Sequence, residues 1–320
     1  MIVSIIIPNY NKSKYLTETI NSVKYQSLFD WECIIVDDFS CDNSVEIIEN
    51  EIKDDNRFTL IKNRTNMGAS FSRNLGLKKS SGRYILFLDS DDVLSKYCLE
   101  KRINFFNKFS NLDYAVFKMG TFYKSIGDSS LEWSDFRGDH LKRFLSHNLP
   151  WHTMMVLWKK NTLIELNGFE ESFIRCQDVE LHTRALIFQY KYKISLNNKI
   201  DSYFRIDSKR INNYYDFLKN DISGKINYYN YFKKLLIDSK NVKYLKGSIF
   251  ESYILIFNFY KIYNLSSFQC KTLVEYLESS YDLNNWSTFD RKWILIYKFF
   301  KKRKFSFKGL NFFFKLILVK

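Results

Sequence analysis

The chain has 320 residues, of which 46% are hydrophobic and 26% are charged, and its formal net charge is +14. That length suits one large domain or two modest ones, and the apolar share is ample for a packed core. The scarcity of Gly (10) and Pro (2) argues against long disordered linkers, and no uncharged apolar run approaches the roughly 18 residues that a membrane span needs.

Cysteine use and the start of the chain both indicate a cytoplasmic protein. The five cysteines are odd in number, widely spaced and without a C-x-x-C pair, so we expect reduced thiols in a reducing compartment. Met1 leads directly into the apolar residues 2–7, which Pro8 stops, and no basic segment precedes them. This start predicts no signal peptide.

The first 90 residues alternate between apolar runs and amphipathic stretches. In the first amphipathic stretch, for example, Leu16, Ile20 and Val23 share one helical face. Such alternation predicts βαβ units, a mostly parallel sheet and right-handed crossovers, and therefore an α/β fold. The predicted strands are residues 3–8, 31–36, 58–62 and 84–88, and the predicted helices are residues 14–26, 43–52 and 70–79.

Three carboxylates follow the fourth predicted strand directly: Asp89, Asp91 and Asp92. Crowded carboxylates repel one another and raise each other's pKa, and a divalent cation with bound phosphates removes that penalty. Because open α/β sheets bind ligands at the carboxyl ends of their strands, the cluster predicts a metal–diphosphate site. The alternative is that Asp91 or Asp92 caps the next helix.

Two other predicted strands also end in polar residues, at 9–11 and at 37–38. A ring stacked on a base contributes about 1–3 kcal/mol, and a carboxylate that accepts from a base N–H adds a selective hydrogen bond. The pattern indicates a nucleotide site at this edge, with Tyr10 and Asp38 as candidates. Each has an alternative: Tyr10 as a packed surface ring, and Asp38 as a cap for the helix that follows.

Four segments in this order resemble the nucleotide-sugar half of family 2 glycosyltransferases of GT-A fold: residues 4–11, 36–40, 66–74 and 89–92. The resemblance extends over about residues 1–210 and departs at Phe39, where the family has Gly. It implies a nucleotide-sugar donor and inversion at the anomeric carbon of the transferred sugar.

The resemblance implies roles for individual residues. Asp38 would hydrogen-bond the uracil edge, and Tyr10 would lie against the base. Asp89 and Asp91 would form the Asp-x-Asp element, in which Asp91 reaches a Mn²⁺ or Mg²⁺ ion, and Arg73 would lie near the nucleotide or diphosphate. The other donor-site candidates are Pro8, Asn66 and Ser90.

Residues 149–158, 167–171 and 176–181 resemble the acceptor half of the same family. There, an acidic pair opens a helix and its second acid is the catalytic base. The resemblance therefore makes Asp178 the base, although Gln177 stands in place of the first acid. A placed carboxylate contributes about 10²–10⁴-fold to the rate. The alternative is that Asp178 is an N-cap.

Trp151 and His152 are candidate acceptor contacts, because aromatic rings pack on sugar faces and a polar neighbour can bind hydroxyls. The alternative for His152 is a structural role. His182, one turn beyond the proposed base, is expected either to face solvent or to be satisfied in the core. Before this region, a strand is predicted at 114–119, and residues 123–138 are polar and turn-like.

Residues 203–208 resemble the family's Tyr-Arg-x-His segment, in which the His can reach the metal or the diphosphate. Asp207 stands at the His position. A carboxylate there could bind a metal but would repel a diphosphate, and Arg205 would offset that repulsion. Asp207 is therefore a second candidate metal ligand.

The last third of the chain predicts helices near 214–238, 244–263, 268–280 and 288–303. Residues 283–320 hold eight Lys and two Arg against one acid, and aromatic residues lie among these cations. Such segments favour anionic membrane surfaces. The alternative is an apolar face that packs on the catalytic domain with a solvated basic rim. We find no recognised nucleic-acid motif, so the charge does not indicate nucleic-acid binding.

The sequence thus predicts a GT-A domain at residues 1–212, with a nucleotide-sugar half at about 1–120 and an acceptor half at about 121–212, and a helical region at 213–320. The predicted function is inverting, metal-dependent, non-processive transfer from a UDP-sugar to a lipid-linked saccharide. Processive relatives carry membrane spans and a Gln-x-x-Arg-Trp motif, which this sequence lacks. We expect a cytoplasmic protein that is peripheral on the inner face of the membrane.

Two other functions are weighed against that prediction. A non-catalytic scaffold that binds a nucleotide-sugar would be favoured by loss of Asp91 or Asp178, and both are present. A sugar-nucleotide pyrophosphorylase would need a Gly- and Pro-rich loop after the first strand, where this chain has residues 9–11.

Overall fold

The computed structural model describes residues 1–197, 199–207, 213–262, 265–281, 292 and 294–298. The chain divides into two compact units, Met1–Gly138 with Leu149–Asp207 and Asp139–Asn148 with Ser208–Lys320. In this division the first unit ends at Asp207, and residues 139–148 of the predicted acceptor half belong to the second unit. A functional domain boundary at residue 212 stays a prediction.

The elements of the described residues are named in chain order. The strands are β1 (Val3–Asn9), β2 (Trp31–Asp37), β3 (Phe58–Lys62), β4 (Tyr84–Phe87), β5 (Val93–Leu94), β6 (Tyr114–Val116), β7 (Met119–Phe122), β8 (Glu132–Trp133), β9 (Val156–Lys159), β10 (Tyr192–Ile194) and β11 (Ser202–Arg205). The helices are α1 (Ser13–Lys24), α2 (Ser44–Ile52), α3 (Ala69–Lys79), α4 (Cys98–Lys108), α5 (His140–Leu145), α6 (Lys160–Glu165), α7 (Gln177–Ile187), α8 (Tyr214–Leu235), α9 (Lys246–Ile262) and α10 (Ser267–Ser280).

Within the described part of the first unit, seven strands form the main sheet in the order β10-β6-β9-β4-β1-β2-β3. The strands β4, β1, β2 and β3 run parallel to one another, β10 is parallel to β6, and β9 is antiparallel to both of its neighbours. Every residue of β1 is buried, as expected for a strand covered on both faces. The predicted mixed α/β architecture with a mostly parallel sheet is confirmed.

A smaller sheet has the order β5-β11-β7-β8 among the described residues. The single strand predicted at 114–119 is therefore wrong, because β6 pairs in the main sheet with β9, whereas β7 pairs with β11. A short, mostly apolar segment cannot reveal that the chain changes sheets within it. The stretch predicted as turn-like contains the short strand β8.

Helix α3 packs on β1 and β2 of the main sheet, whereas α1 packs on α2 and β5. The α1 face formed by Leu16, Ile20 and Val23 is buried, as predicted. At Gly76 of α3, an added Cβ would lie 2.5 Å from Cγ2 of Ile6 in β1. That contact is too short for any side chain, so the glycine allows the close approach of helix to sheet.

The described part of the second unit has a helical core of its own. Leu218 and Ile222 of α8, Phe250 of α9 and Leu273 and Leu277 of α10 are buried together. The three helices predicted at 214–238, 244–263 and 268–280 match α8, α9 and α10 closely. The helix predicted at 288–303 lies mostly outside the described residues, although those described at 292 and 294–298 are helical.

Two global expectations can be compared with the structure. None of the described helices is both long enough and apolar enough to cross a bilayer. The five cysteines all lie in the described residues and form no disulfide.

Candidate functional site

The loops that follow β1 and β2 are joined through Asp37. Its Oδ1 accepts from Asn9 Nδ2 and from Ser40 Oγ, each at 2.7 Å, and its Oδ2 accepts from Ser40 N at 3.0 Å. Phe39 lies between these groups with φ of +66°, a conformation that glycine adopts with less strain. The loop therefore keeps a left-handed residue at the position where the resembling family has Gly.

Asp38 faces a third loop, the one that opens α3. Its carboxylate accepts from Asn63 Nδ2 at 2.7 Å and from the backbone N–H groups of Met67 and Gly68 at 2.8 Å each. It makes no cap for α2, whose N-cap is Asn43. A carboxylate has about four acceptor positions, so these three bonds leave capacity for one further donor.

Tyr10 and Asp38 lie on adjacent loops at the carboxyl edge of the sheet. Asn9 is paired with Asp37 across β1 and β2, and Asp38 N donates to Asn9 O at 2.7 Å. Tyr10 is 47% exposed, so its ring is available to a ligand. Asn66 is also exposed, whereas Pro8 is buried within β1.

Both acids of the Asp-x-Asp element are paired with cations. Arg73 Nη2 of α3 donates to Asp89 Oδ1 at 2.7 Å, and Lys12 Nζ, just before α1, donates to Asp91 Oδ2 at 2.6 Å. Burial by itself raises the pKa of the Asp89 carboxyl, but Arg73 and, less strongly, His152 hold it below its ordinary value. Asp89 is therefore ionised at neutral pH.

Residues 89–92, named the acidic loop, are bound from α1 on one side and from β11 on the other. Thr19 of α1 donates its hydroxyl to the carbonyls of Ser90 and Asp92, at 3.1 and 2.9 Å. Arg205 of β11 donates its Nε to Asp91 O at 2.9 Å and its backbone N to Asp92 Oδ1 at 2.8 Å, and it pairs with Glu18 of α1. The next helix, α4, has Tyr97 at its N-cap, so neither Asp91 nor Asp92 is a helix cap.

Asp178 lies in the first turn of α7, whose N-cap is Cys176 with φ of +63°. The alternative role as N-cap is therefore excluded. Burial raises the pKa of the Asp178 carboxyl, but His152, His182, Arg73 and a hydrogen bond from Thr153 together hold it below the ordinary value. The effect of Arg73 on both Asp178 and Asp89 means that the candidate base lies within electrostatic reach of the Asp-x-Asp element.

The aromatic candidates of the acceptor half differ in accessibility. His152 is half-buried and lies 5.7 Å from Phe204, between ring centroids. Trp151 is only 1% exposed and packs near Tyr192, so its ring supports the site from within the core. Direct contact of either residue with an acceptor stays a prediction.

His182 proves to be a core residue and does not face solvent. It is 1% exposed and its ring is stacked on Trp158, with 5.8 Å between centroids. Burial lowers the pKa of His182 to about 4, although Asp178 opposes that shift. Its imidazole is therefore neutral at pH 7.

Helix α3 connects the nucleotide and acceptor segments through two successive residues. Arg73 binds Asp89, and the next residue, Asn74, donates to Phe169 O and accepts from Phe169 N, at 2.8 Å each. The turn at Gly168 has φ of +63°. The Arg-Asn pair thus joins the acidic loop to the turn that precedes α7.

The donor set at the acidic loop fits a divalent cation in one specific way. Among the described residues, no group of three or more His, Cys, Asp or Glu side chains is arranged to hold an ion. Mg²⁺ and similar ions are, however, commonly bound by one or two carboxylates together with substrate phosphates. Asp91 would supply such a carboxylate. Asp207 accepts from Tyr15 Oη and lies 3.9 Å from Lys14 Nζ, and its role as a ligand stays a prediction.

Sequence reasoning missed two residues that organise the site. Lys12 has the position of an ordinary surface lysine at a helix start, and only its place directly after Asn11, at the carboxyl edge, could have indicated a role. Thr153, which helps to lower the pKa of Asp178, is close to it only through the fold.

The sequence model described as glycosyl transferase family 2 matches residues 4–171. An uncharacterized glycosyltransferase of Haemophilus influenzae is 47% identical over 32% of this chain and 42% of its own length. The Escherichia coli UDP-Glc:alpha-D-GlcNAc-diphosphoundecaprenol beta-1,3-glucosyltransferase WfgD is 40% identical over 32% and 40%. The Staphylococcus aureus poly(ribitol-phosphate) beta-N-acetylglucosaminyltransferase TarP is 30% identical over 69% and 70%. The match to the first two of these relatives spans about two fifths of their length.

Several solved structures have a fold similar to that of this chain. The crystal structure of Staphylococcus aureus TarS 1–349 has a TM-score of 0.62 at 18% identity, covering 100% of this chain and 88% of that one. The same protein in complex with UDP-GlcNAc has a TM-score of 0.55, also at 18% identity, over 80% and 81%. The Pyrobaculum calidifontis mannosyltransferase PcManGT, in complex with GDP-Man and Mn²⁺, has a TM-score of 0.54 at 12% identity, over 99% and 84%. These likenesses confirm the predicted GT-A fold.

Proposed function

The chain belongs to glycosyl transferase family 2, and on that premise we propose that it transfers a hexosyl or N-acetylhexosaminyl group from a UDP-sugar to a saccharide acceptor with inversion. One arrangement carries this proposal: α3 binds Asp89 through Arg73 and binds the turn before α7 through Asn74, and the candidate base Asp178 lies in the first turn of α7. A donor phosphate side and an acceptor side are therefore neighbours. The pyrophosphorylase alternative receives no support from the family match.

The protein binds the donor through its nucleobase and through its diphosphate. The exposed Tyr10 ring stacks on the uracil, for about 1–3 kcal/mol. Asp38, held by Met67 N and Gly68 N, uses its remaining acceptor capacity for the uracil N–H. When bound, a divalent cation such as Mn²⁺ or Mg²⁺ on Asp91 supplies positive charge that stabilises the leaving diphosphate.

Transfer requires that the acceptor hydroxyl lose its proton. The Asp178 carboxylate, ionised because its pKa is held low, takes that proton as the hydroxyl oxygen attacks the anomeric carbon. The bond from that carbon to the diphosphate oxygen breaks, and the nucleoside diphosphate leaves with the electron pair. Attack on the face opposite the leaving group inverts the anomeric centre.

The acceptor class is proposed from the relatives and from the charge of the chain. The WfgD name specifies a diphosphoundecaprenol-linked sugar, and the TarP name specifies poly(ribitol-phosphate). We favour a lipid-linked saccharide of a bacterial surface polysaccharide, because residues 283–320 carry ten cations and one acid, a balance suited to an anionic membrane surface. The protein would then act as a peripheral protein on the inner face of the membrane.

The test is a donor panel. We expect slow release of UDP by hydrolysis when the protein is incubated with UDP-glucose, UDP-GlcNAc or related UDP-sugars and Mn²⁺, and faster release when an extract of lipid-linked saccharides is added. Binding of a UDP-sugar without turnover under either condition would instead support the non-catalytic scaffold. Release of UDP at the same rate with and without the extract of lipid-linked saccharides would contradict the proposed acceptor class.

A further inference from the structure

The Lys12–Asp91 ion pair differs from an ordinary surface salt bridge. The Asp91 side chain is only 6% exposed and that of Lys12 is 30% exposed, with 2.6 Å between Nζ and Oδ2. The backbone of Lys12 is fixed as well, because its N donates to Ser44 Oγ at 3.1 Å. An ion pair with one nearly buried partner is screened far less than an exposed pair.

Two other cations near Asp91, Arg73 and Arg205, bind other acceptors. Arg73 occupies the other acid of the element, Asp89. Arg205 binds the carbonyl of Asp91 and the carboxylate of Asp92 and pairs with Glu18. In the part of the chain that the structure describes, Lys12 is thus a cation bound directly to the Asp91 carboxylate.

A carboxylate oxygen that binds an ammonium group cannot at the same time serve fully as a ligand of a divalent ion. An ion that takes Oδ2 of Asp91 must displace Lys12, and an incoming diphosphate makes that exchange easier because its oxygens offer the released ammonium a new partner. We propose that Lys12 is a built-in competitor for the metal, so that the cation binds Asp91 firmly only together with a nucleoside diphosphate. This inference rests on the proposed function, since it takes Asp91 as the metal-binding carboxylate.

The direct test measures Mn²⁺ binding without any turnover. The electron paramagnetic resonance signal of free aqueous Mn²⁺ is titrated against the full-length protein, first without nucleotide and then with saturating UDP. We expect Lys12→Met to bind Mn²⁺ more tightly than wild type without UDP, by roughly 5–150-fold, the usual size of a coupling between two sites. Since coupling is reciprocal, UDP should then improve Mn²⁺ binding less in this variant than in wild type.

Two variants serve as controls. Lys12→Arg keeps the positive charge and should behave as wild type. Lys62→Met removes an equal charge from a surface pair with Glu49 and should leave the Mn²⁺ affinity unchanged. If Lys12→Met does not fold, as judged by circular dichroism, Lys12→Gln takes its place because it keeps a polar side chain of similar length.

The outcomes separate this inference from the proposed function. Wild-type protein that binds no UDP with Mn²⁺ would refute the proposed function itself. Wild-type protein that binds UDP with Mn²⁺, while Lys12→Met binds Mn²⁺ alone equally or more weakly, would overturn the competitor role and leave the function standing. An equal gain in Mn²⁺ affinity in Lys12→Met and Lys62→Met would show that the effect comes from net charge alone, and it would also overturn the competitor role.

Discussion

Adjacent carboxylates in this protein have different tasks. Asp37 binds Asn9 and Ser40 and so joins two loops, whereas its neighbour Asp38 holds the loop before α3. In the acidic loop, Asp92 is fully buried and accepts from Arg205 N, whereas Asp91 is paired with a partly exposed lysine. Asp37 and Asp92 thus bind groups of the loops around them, and we propose that Asp38 and Asp91 are the acids that bind the donor and the metal.

Substitution of Asp178 tests the residue proposed as base. Asp178→Asn removes the proton acceptor but keeps the shape of the side chain, so we expect sugar transfer to fall by about 10²–10⁴-fold while UDP affinity changes little. Asp54→Asn makes the same chemical change at an exposed position and should have no effect. Initial rates of transfer and calorimetric UDP titrations provide the measurements, and full transfer by Asp178→Asn would remove Asp178 from the mechanism.

The pH dependence of transfer follows from the lowered pKa of Asp178. The base must be ionised to act, and its pKa lies below the ordinary value of about 3.9. Lowering the pH from 7 to 5 should therefore not reduce kcat through this group. The ionised form of Asp178, and the activity that depends on it, should be lost only as the pH falls through the lowered pKa. His152→Gln removes the group that does most to lower the pKa of Asp178 against the effect of burial. The acid limb of the pH profile of kcat should therefore move to higher pH in this variant. Identical acid limbs in the two proteins would contradict this electrostatic link.

At the residue scale, the sequence predicts positions better than partners. The acids at 37–38 and 89–92 can be found because they follow apolar runs, and the sheet then brings them to one edge. The pairing of Lys12 with Asp91 cannot be found in this way, because the two residues are 79 positions apart and a lysine at a helix start is ordinarily solvated. The burial of Trp151 is equally hidden, since an aromatic residue suits both a core and a sugar site.

At the scale of elements, two helices hold the site together. Helix α1 binds the acidic loop directly through Thr19 and indirectly through the pair of Glu18 with Arg205. Helix α3 binds the acidic loop through Arg73 and the acceptor segment through Asn74. Both helices pack on buried strands, so the polar contacts rest on a rigid base.

Loss of the Asn74 contacts should destabilise the fold. Asn74→Ala removes both hydrogen bonds to the backbone of Phe169 and leaves those groups without their partner, at a cost of about 1–3 kcal/mol each where they stay dry. We expect a lower denaturant midpoint than in Asn107→Ala, which makes the same change at an exposed site of α4. Equal midpoints for the two variants would show that the Asn74 bonds contribute nothing net.

The elements themselves were largely predictable, and the exception is informative. The first seven predicted elements match the observed ones within two residues at every boundary, because apolar runs indicate the strands and turn residues separate them from the helices. The strand predicted at 114–119 fails because β6 and β7 are separated by only Phe117 and Lys118 but pair with different strands. Strand partners are a property of the whole fold, which a local pattern does not contain.

At the scale of the whole molecule, the main asymmetry is one of charge. The net charge of the chain is +14, and residues 283–320 contribute eight Lys, two Arg and one Asp to it. The proposal that this segment binds an anionic membrane surface rests on its composition. Family membership and fold were predictable from the motifs of the first unit, whereas nothing in the sequence identifies the sugar or its acceptor.

Truncation tests the role of the basic end. Removal of residues 305–320 deletes three Lys, each worth about 1 kcal/mol at an anionic surface, so binding to vesicles of anionic lipid should weaken by up to roughly 100-fold. Vesicles of uncharged lipid serve as the control, and UDP affinity should not change. Cosedimentation measures the effect, and unchanged pelleting with anionic vesicles would argue against the membrane role of this segment.

The most direct test of the donor site is a calorimetric titration of the full-length protein with UDP, dTDP, GDP and ADP, each with and without Mn²⁺. If Tyr10, Asp38 and Asp91 form a uracil–diphosphate site, UDP should bind in a metal-dependent manner, dTDP should be the only other nucleotide that binds comparably, and Asp91→Ala should abolish the metal dependence. Preferential binding of GDP or ADP would contradict the assignment of the donor, and absence of binding by all four nucleotides would contradict the site itself.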